Sequence, residues 1–231
     1  ADYDELRHLC DTHKLVLIAD AAHSFPAGYK GRPVGTLADF TCFSFYATKT
    51  ITTGEGGMLT ARDGAMLQHA RVLRLHGISR DAWKRYSAEG SWEYDALEVG
   101  FKHNMTDVAG GLGLGQLERA DEMRGCRHRI CKRYDNAFAD YPQLEPYHID
   151  DDRTSSYHIY PLKLKLDRLA VDRNTFFREL KTAGVHCSVH FIPLHHFSGY
   201  QHYFGNAIMP VSDDIFSREI TLPLYPDQTD D

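Results

Sequence analysis

The chain has 231 residues, 42% hydrophobic and 25% charged, with 32 acidic against 26 basic side chains and a formal net charge of −6. That length supports one large domain or two modest ones, and the composition is that of an ordinary globular protein rather than a disordered or collagen-like one. The acidic balance argues against non-specific binding to nucleic acid or acidic membranes, and no apolar run approaches the roughly 18 residues of a membrane span.

In chain order, Tyr3, Leu6, Leu9 and Cys10 fall at helical spacing. The continuous apolar run Leu15-Val16-Leu17-Ile18-Ala19 predicts a strand buried on both faces of a parallel sheet, with Asp20 at its carboxyl end. Open α/β sheets place their ligands at that edge. Residues 40–45 and 57–61 predict two further strands, and 63–75 a helix. The polar, aromatic stretch 79–100 reads as a long surface loop.

A long helix is expected from Asn104, capped by Thr106 or Asp107 and ended by Pro142. A small α+β unit follows: strand 157–164, helix 174–183, a turn at Gly184 and strand 185–191. The expected organisation is therefore a large α/β domain over 1–103, an interdomain helix over 104–141 and a small C-terminal α+β domain over 142–231. A helix feeding an interior-type strand at the start, and a helix-like start at Pro226-Asp227 at the end, suggest a piece of something larger.

The five cysteines (Cys10, Cys42, Cys126, Cys131 and Cys187) form no C-x-x-C pair and read as reduced thiols of a cytoplasmic protein. The acidic start Ala1-Asp2-Tyr3-Asp4-Glu5 lacks the features of a signal peptide.

Two residues carry the main chemical signal. Lys49 sits between the apolar pair Phe43 and Phe45 and the flexible run Gly54-Glu55-Gly56-Gly57. With Asp20 upstream, it supplies what pyridoxal phosphate (PLP) chemistry needs. A lysine forms the Schiff base with the aldehyde, and a carboxylate keeps the ring nitrogen protonated. Each has a plainer reading, Lys49 as a solvated surface amine and Asp20 as the cap of a following helix. His23, three after Asp20, is placed to contact the ring oxygen or simply to satisfy a helix start. Ser44 reads as a phosphate contact or as a strand hydroxyl.

Other patterns read more plainly. The glycines of residues 110–115 fit no dinucleotide loop, because Gln116 and Glu118 occupy the register of the last glycine. His186 and His190 would share one face of a strand, and His195 and His196 follow. No third ligand at the usual spacing is evident, so no metal is expected. Trp83 and Arg85, with Tyr86, are candidates to cover a sugar nucleotide.

Together these residues resemble the DegT/DnrJ/EryC1/StrS family of sugar aminotransferases, which are fold-type I PLP enzymes. The motifs are Asp20-Ala21-Ala22-His23, the Ser44–Gly57 block around Lys49, Arg74-Leu75-His76-Gly77, Asn104-Met105-Thr106-Asp107, Gly113–Glu118 and Leu222-Pro223-Leu224-Tyr225-Pro226. The resemblance implies a mixed-sheet large domain and a small C-terminal domain. It also implies PLP as cofactor, with Lys49 as Schiff-base lysine and proton shuttle, Asp20 on the ring nitrogen, His23 beside the ring and Ser44 on the phosphate. Asn104 would reach the phosphate of the partner subunit in a homodimer, and His190 would lie near the substrate diphosphate or sugar.

The reaction implied is amino transfer, with L-glutamate as donor, to a keto-sugar nucleotide. Gly77-x-x-x-Asp81-Ala82-Trp83 points to position C4, in amino-sugar or surface-polysaccharide (lipopolysaccharide) biosynthesis. A 3-keto sugar, or a non-catalytic binding or regulatory protein on the same scaffold, is the alternative. The family's phosphate loop and ring-stacking aromatic lie upstream of Ala1, so this stretch alone would hold only part of the site.

Overall fold

The computed structural model describes residues 1–78, 94–205 and 207–229. They form two compact units, one of residues 1–120 with 152–156, the other of 121–151 with the residues from 157 onward. Among the described residues the strands are β1 (Ile18–Asp20), β2 (Gly28–Tyr29), β3 (Arg32–Pro33), β4 (Phe40–Ser44), β5 (Gly57–Ala61), β6 (Leu144–Pro146), β7 (Arg153–Thr154), β8 (Tyr160–Leu164) and β9 (Glu219–Leu222). The α-helices are α1 (Tyr3–His13), α2 (Gly64–Leu73), α3 (Asp107–Glu118), α4 (Ala120–Phe138), α5 (Arg173–Thr182), α6 (Gln201–Phe204) and α7 (Pro210–Arg218). None of the described helices is long and apolar enough to cross a membrane.

Unit one is built on a mixed sheet. β1 runs parallel to β4, with Asp20 opposite Cys42, and β5 lies antiparallel on the far side of β4. Capping explains the helices around it. The Asp2 carboxylate accepts from the N–H groups of Asp4 and Glu5 at the start of α1, and Lys14 closes that helix with φ 53°. Asp63 caps α2 in the same way, through Ala65 and Met66. A ribbon of β3, β2 and β7 stands beside the sheet. Lys30 and Gly31, at φ 47° and 74°, make the two-residue turn between β2 and β3, the positive-φ pair that a tight hairpin requires. Pairing of β7 with β2 brings residues 152–156 into this unit. The small core here is Ala21, Tyr29, Val34 and Leu37, with Tyr3, Ala27 and Phe43 packed on it.

Two expectations change in unit one. The run Leu15–Ala19 is not buried on both faces: β1 begins only at Ile18, which is 63% exposed, and Leu15 and Val16 are exposed as well. β1 has β4 on one side, and no described element covers the Ile18 face. The single helix expected over 104–141 is two. Thr106 caps α3 by accepting from the Ala109 N–H at 3.2 Å, and the helix stops at Arg119, where ψ is 1°, before α4 starts at Ala120.

Unit two is an antiparallel sheet in the order β6-β8-β9. Along β8 burial alternates, with Tyr160, Leu162 and Leu164 inward, and Leu164 and Ile220 are fully buried. The core they form with Cys131 and Leu222 is covered by Tyr134 and Phe138 of α4 and by Phe176, Phe177 and Leu180 of α5. Each such aliphatic side chain contributes about 1.5–3 kcal/mol by leaving water. Arg127 of α4 is buried and donates to the carbonyls of Leu224 (2.8 Å) and His158 (3.3 Å); burial draws its pKa down.

The strand expected over 185–191 is absent. Ser188 exchanges both backbone hydrogen bonds with Thr221 as one isolated bridge. Two residues on, the His190 N–H is taken by the Glu219 carboxylate, so the ladder does not continue.

Candidate active site

Parallel pairing of β1 with β4 sends the carboxyl ends of both strands to one sheet edge, where Asp20 ends β1 and Ser44 ends β4. Asp20 is the last residue of β1, and the Ala21 N–H donates to the Cys42 carbonyl at 2.8 Å. The Asp20 Oδ1 accepts from the Ala22 N–H at 3.0 Å. No helix follows Asp20, so the plainer reading of it as a helix cap fails; the carboxylate closes a short turn at the edge. The His23 carbonyl accepts from the Ser156 hydroxyl, which ties this turn to the 152–156 segment.

On the neighbouring strand, Ser44 ends β4 and its Oγ accepts from the Tyr46 N–H at 3.3 Å. The chain then makes a closed loop that carries Lys49. The Phe45 N–H donates to Gly56 O at 2.8 Å, and the Phe45 carbonyl accepts from the Thr53 N–H (2.9 Å) and the Thr52 hydroxyl (3.2 Å). Inside it the Lys49 N–H donates to Tyr46 O at 3.0 Å. Glycine is required at the base, because a Cβ on Gly57 would stand 2.6 Å from the Phe43 carbonyl oxygen.

Side chains fix the loop from outside. The Thr50 hydroxyl donates to the Phe25 carbonyl, the Gln116 side chain of α3 accepts from the Thr52 N–H at 3.3 Å, and Ile51 and Thr53 are buried. Phe25 packs edge-on against Phe43 and Phe45, with centroids 5.6 and 6.3 Å apart. Lys49 is half-buried, and among the described residues no carboxylate pairs with it. A half-buried amine on a braced loop without a counter-ion is suited to nucleophilic work rather than to a surface ion pair.

Asn104 lies three residues before α3. Its Oδ1 accepts from the Lys102 ammonium, and its Nδ2 stands 3.5 Å from Met105 O. His190 belongs to unit two. Its ring Nδ1 lies 2.9 Å from Thr221 Oγ1, Thr221 donates to Glu219 Oε1 at 2.6 Å, and the His190 N–H donates to Glu219 Oε2 at 3.2 Å. The Thr221 hydroxyl spends its one proton on the carboxylate, so its oxygen accepts at the ring and the proton sits on Nδ1. Glu219 is 2% exposed and Thr221 4%. This chain was not legible in the sequence, nor was the anchoring of the lysine loop by Gln116 and Thr50. Trp83 and Arg85 lie outside the described residues.

The chain belongs to the DegT/DnrJ/EryC1/StrS aminotransferase family, whose model matches residues 1–231. It is 42% identical over 233 residues to the spore coat polysaccharide biosynthesis protein SpsC of Bacillus subtilis, covering all of this chain and 60% of that one. It is 32% identical over 224 residues to the UDP-4-amino-4,6-dideoxy-N-acetyl-β-L-altrosamine transaminase of Campylobacter jejuni, covering 97% of this chain and 57% of the relative. Among solved structures it is similar to Spr1654 of Streptococcus pneumoniae, a proposed sugar aminotransferase, in its pyridoxamine phosphate (PMP) form. There the TM-score is 0.89 at 34% identity, over all of this chain and 63% of that one; the same protein is solved with PLP. The chain thus spans about 60% of the length of the curated relatives it matches.

The family is PLP-dependent, and the residues present suit that group by their chemistry. The sheet edge offers one carboxylate, one amine without a carboxylate partner and one hydroxyl at the second strand end. A pyridinium nitrogen, an aldehyde and a phosphate call for those three functions.

Proposed function

We propose that the whole protein is a sugar aminotransferase that moves an amino group from an amino acid, L-glutamate, to a keto-sugar nucleotide. The observation that carries the reading is the gathering of Asp20, Ser44 and the Lys49 loop at the carboxyl edge of β1 and β4, in a chain of this family. PLP, when bound, supplies an electron sink that makes the proton on the amino-bearing carbon removable. With the cofactor in place, Lys49 would take that proton and deliver it to the carbon on the far side of the nitrogen, in one direction in the first half of the reaction and in the other in the second. Asp20 holds a proton on the ring nitrogen. Ser44 donates its hydroxyl to phosphate, and His23 lies beside the ring. Asn104 reaches the phosphate of a partner subunit in a homodimer. The family likeness supports a place for His190, whose ring Nδ1 lies 2.9 Å from Thr221 Oγ1, near the substrate diphosphate or sugar, and makes Trp83 and Arg85 candidates to contact the sugar nucleotide.

Position C4 draws support from the C. jejuni relative, whose name carries a 4-amino group on a UDP-linked sugar. The SpsC relative supports a place in surface-polysaccharide synthesis. The net charge and the enzyme class fit a cytoplasmic protein acting on small molecules, with neither nucleic acid nor membrane as partner.

Borohydride reduction of the full-length protein with PLP, followed by peptide mapping, tests the reading. The expected label is on Lys49. A labelled peptide elsewhere, or none from a folded sample, would remove Lys49 from its role.

A further inference from the structure

Away from this machinery, three metal-ligating side chains of unit two converge. His195 and His196 end the 3-10 turn Leu194–His196, and Asp213 lies in the first turn of α7. Both imidazole Nε2 atoms stand 2.7 Å from the same carboxylate oxygen, Asp213 Oδ1, and the three atoms lie within 4.8 Å of one another. Adjacent residues reach one acceptor only because the turn is tight; their rings are 4.4 Å apart and nearly perpendicular, at 83°. Each ring is braced from behind, His195 edge-on to Phe204 at 6.3 Å and His196 edge-on to Phe216 at 5.4 Å. The orientation is therefore held by packing as well as by the carboxylate.

The donor set is two neutral nitrogens and one carboxylate oxygen. Calcium and magnesium call for all-oxygen shells, whereas zinc takes imidazole nitrogen and carboxylate oxygen at about 2.0–2.2 Å, often from three side chains and a water. Tetrahedral bonds of that length set neighbouring ligand atoms about 3.3 Å apart. The two 2.7 Å contacts would have to open by roughly 0.6 Å. Asp213 can make that adjustment, since its side chain is 42% exposed, and the exposure admits the fourth, water ligand.

We infer that His195, His196 and Asp213 form a three-ligand site for a divalent cation of the zinc class. The ion takes the place of the two Nε2 protons, each of which moves to Nδ1 or leaves to solvent, and it clamps the 194–196 turn to the first turn of α7. Sequence spacing did not reveal it, because the ligand completing the set is 17 residues beyond His196 on a separate helix. The site is independent of the aminotransferase reading.

The test is titration of the chelator-treated protein with Co2+, then competition with Zn2+. One equivalent is expected to give the visible bands of a tetrahedral cobalt site, to be displaced by zinc, and to raise the melting temperature. Asp213→Asn and His196→Ala should each abolish the bands and weaken binding at least tenfold, while His202→Ala should bind as the parent does. Unfolding of Asp213→Asn would leave the outcome to His196→Ala, whose side chain is 38% exposed. Absence of saturable binding, or equal binding by parent and both variants, would overturn the inference and leave a hydrogen-bonded cluster.

Discussion

The two units are held together by different physics. In unit two, residues from α4, α5, β8 and β9 bury a continuous core, with Leu162, Leu164 and Ile220 at 0–1% exposure. Among its described residues, unit one carries the lysine loop and a smaller buried cluster of Ala21, Tyr29, Val34 and Leu37, and in this stretch of chain Leu15, Val16, Ile18 and Met58 are exposed. There hydrogen bonds at loop bases and strand ends set the geometry of the lysine loop, alongside the packing of Phe25 on Phe43 and Phe45. Core substitutions should thus register mainly as stability in unit two, and loop substitutions mainly as chemistry in unit one.

The largest effect expected is on turnover. Lys49→Ala removes the group that moves the proton and should lower transamination by the full-length protein at least a thousandfold, or about 4 kcal/mol. The melting temperature should barely move, because the loop is fixed by Thr50, Thr52 and Thr53 rather than by the lysine side chain. Turnover within tenfold of the parent would break the assignment. Leu164→Ala should do the reverse, costing about 2–5 kcal/mol in denaturant unfolding, since a fully buried leucine leaves a cavity between β8 and its cover. A cost below 1 kcal/mol would mean that the core is looser than its burial indicates.

A smaller effect separates position from stability within unit two. Thr221→Val keeps the shape of a buried side chain and cuts the link between Glu219 and the His190 ring, at a cost of about 1–3 kcal/mol for the orphaned polar groups. Its distinguishing readout is nitrogen NMR of His190. The parent should hold the proton on Nδ1, and the variant should show a mixture of tautomers. An unchanged spectrum would show that Thr221 does not set the tautomer.

Legibility in the sequence followed the range of the interactions. Residues whose role depends on near neighbours, such as Thr106 at the α3 cap and the Ser44–Gly57 loop, were readable because turn and cap chemistry is local. Asp20 is expected at the carboxyl end of its strand from the apolar run before it, and it is the last residue of β1. The strand expected over 185–191 failed because a side chain 29 residues away, Glu219, claims a backbone N–H of that segment. The doubly buried reading of Leu15–Ala19 failed for a related reason. Apolar composition records a propensity to be covered, while the covering element is a property of the fold.

Acid dependence sharpens the contrast for unit one. The Asp39 carboxylate accepts from the Leu17 N–H at 2.8 Å and from the Arg7 guanidinium at 2.9–3.0 Å, and these partners hold its pKa below the usual carboxylate range. A folded pKa below the unfolded one contributes stability that is fully present above about pH 4 and is lost as pH falls through the folded value. Unfolding of the parent should therefore become easier below pH 4. Asp39→Asn should be less stable at pH 7 by about 1 kcal/mol and should flatten that acid slope. Parallel slopes for the two proteins would place the acid sensitivity elsewhere.

The gentlest probe compares two thiols. Cys42 on β4 is exposed, whereas Cys131 on α4 is 4% exposed and burial pushes its thiol up to about 12. At pH 8 only on the order of one in ten thousand Cys131 thiols is ionised, and the thiolate is the form that reacts. A disulfide reagent should thus label Cys42 promptly in the folded protein and reach Cys131 only through opening of unit two. The labelling rate at Cys131 then reports that opening, and it should rise in Leu164→Ala while the rate at Cys42 stays the same. Equal acceleration at both cysteines would show the units opening together, which would end the comparison between a core-held unit and a loop-held one.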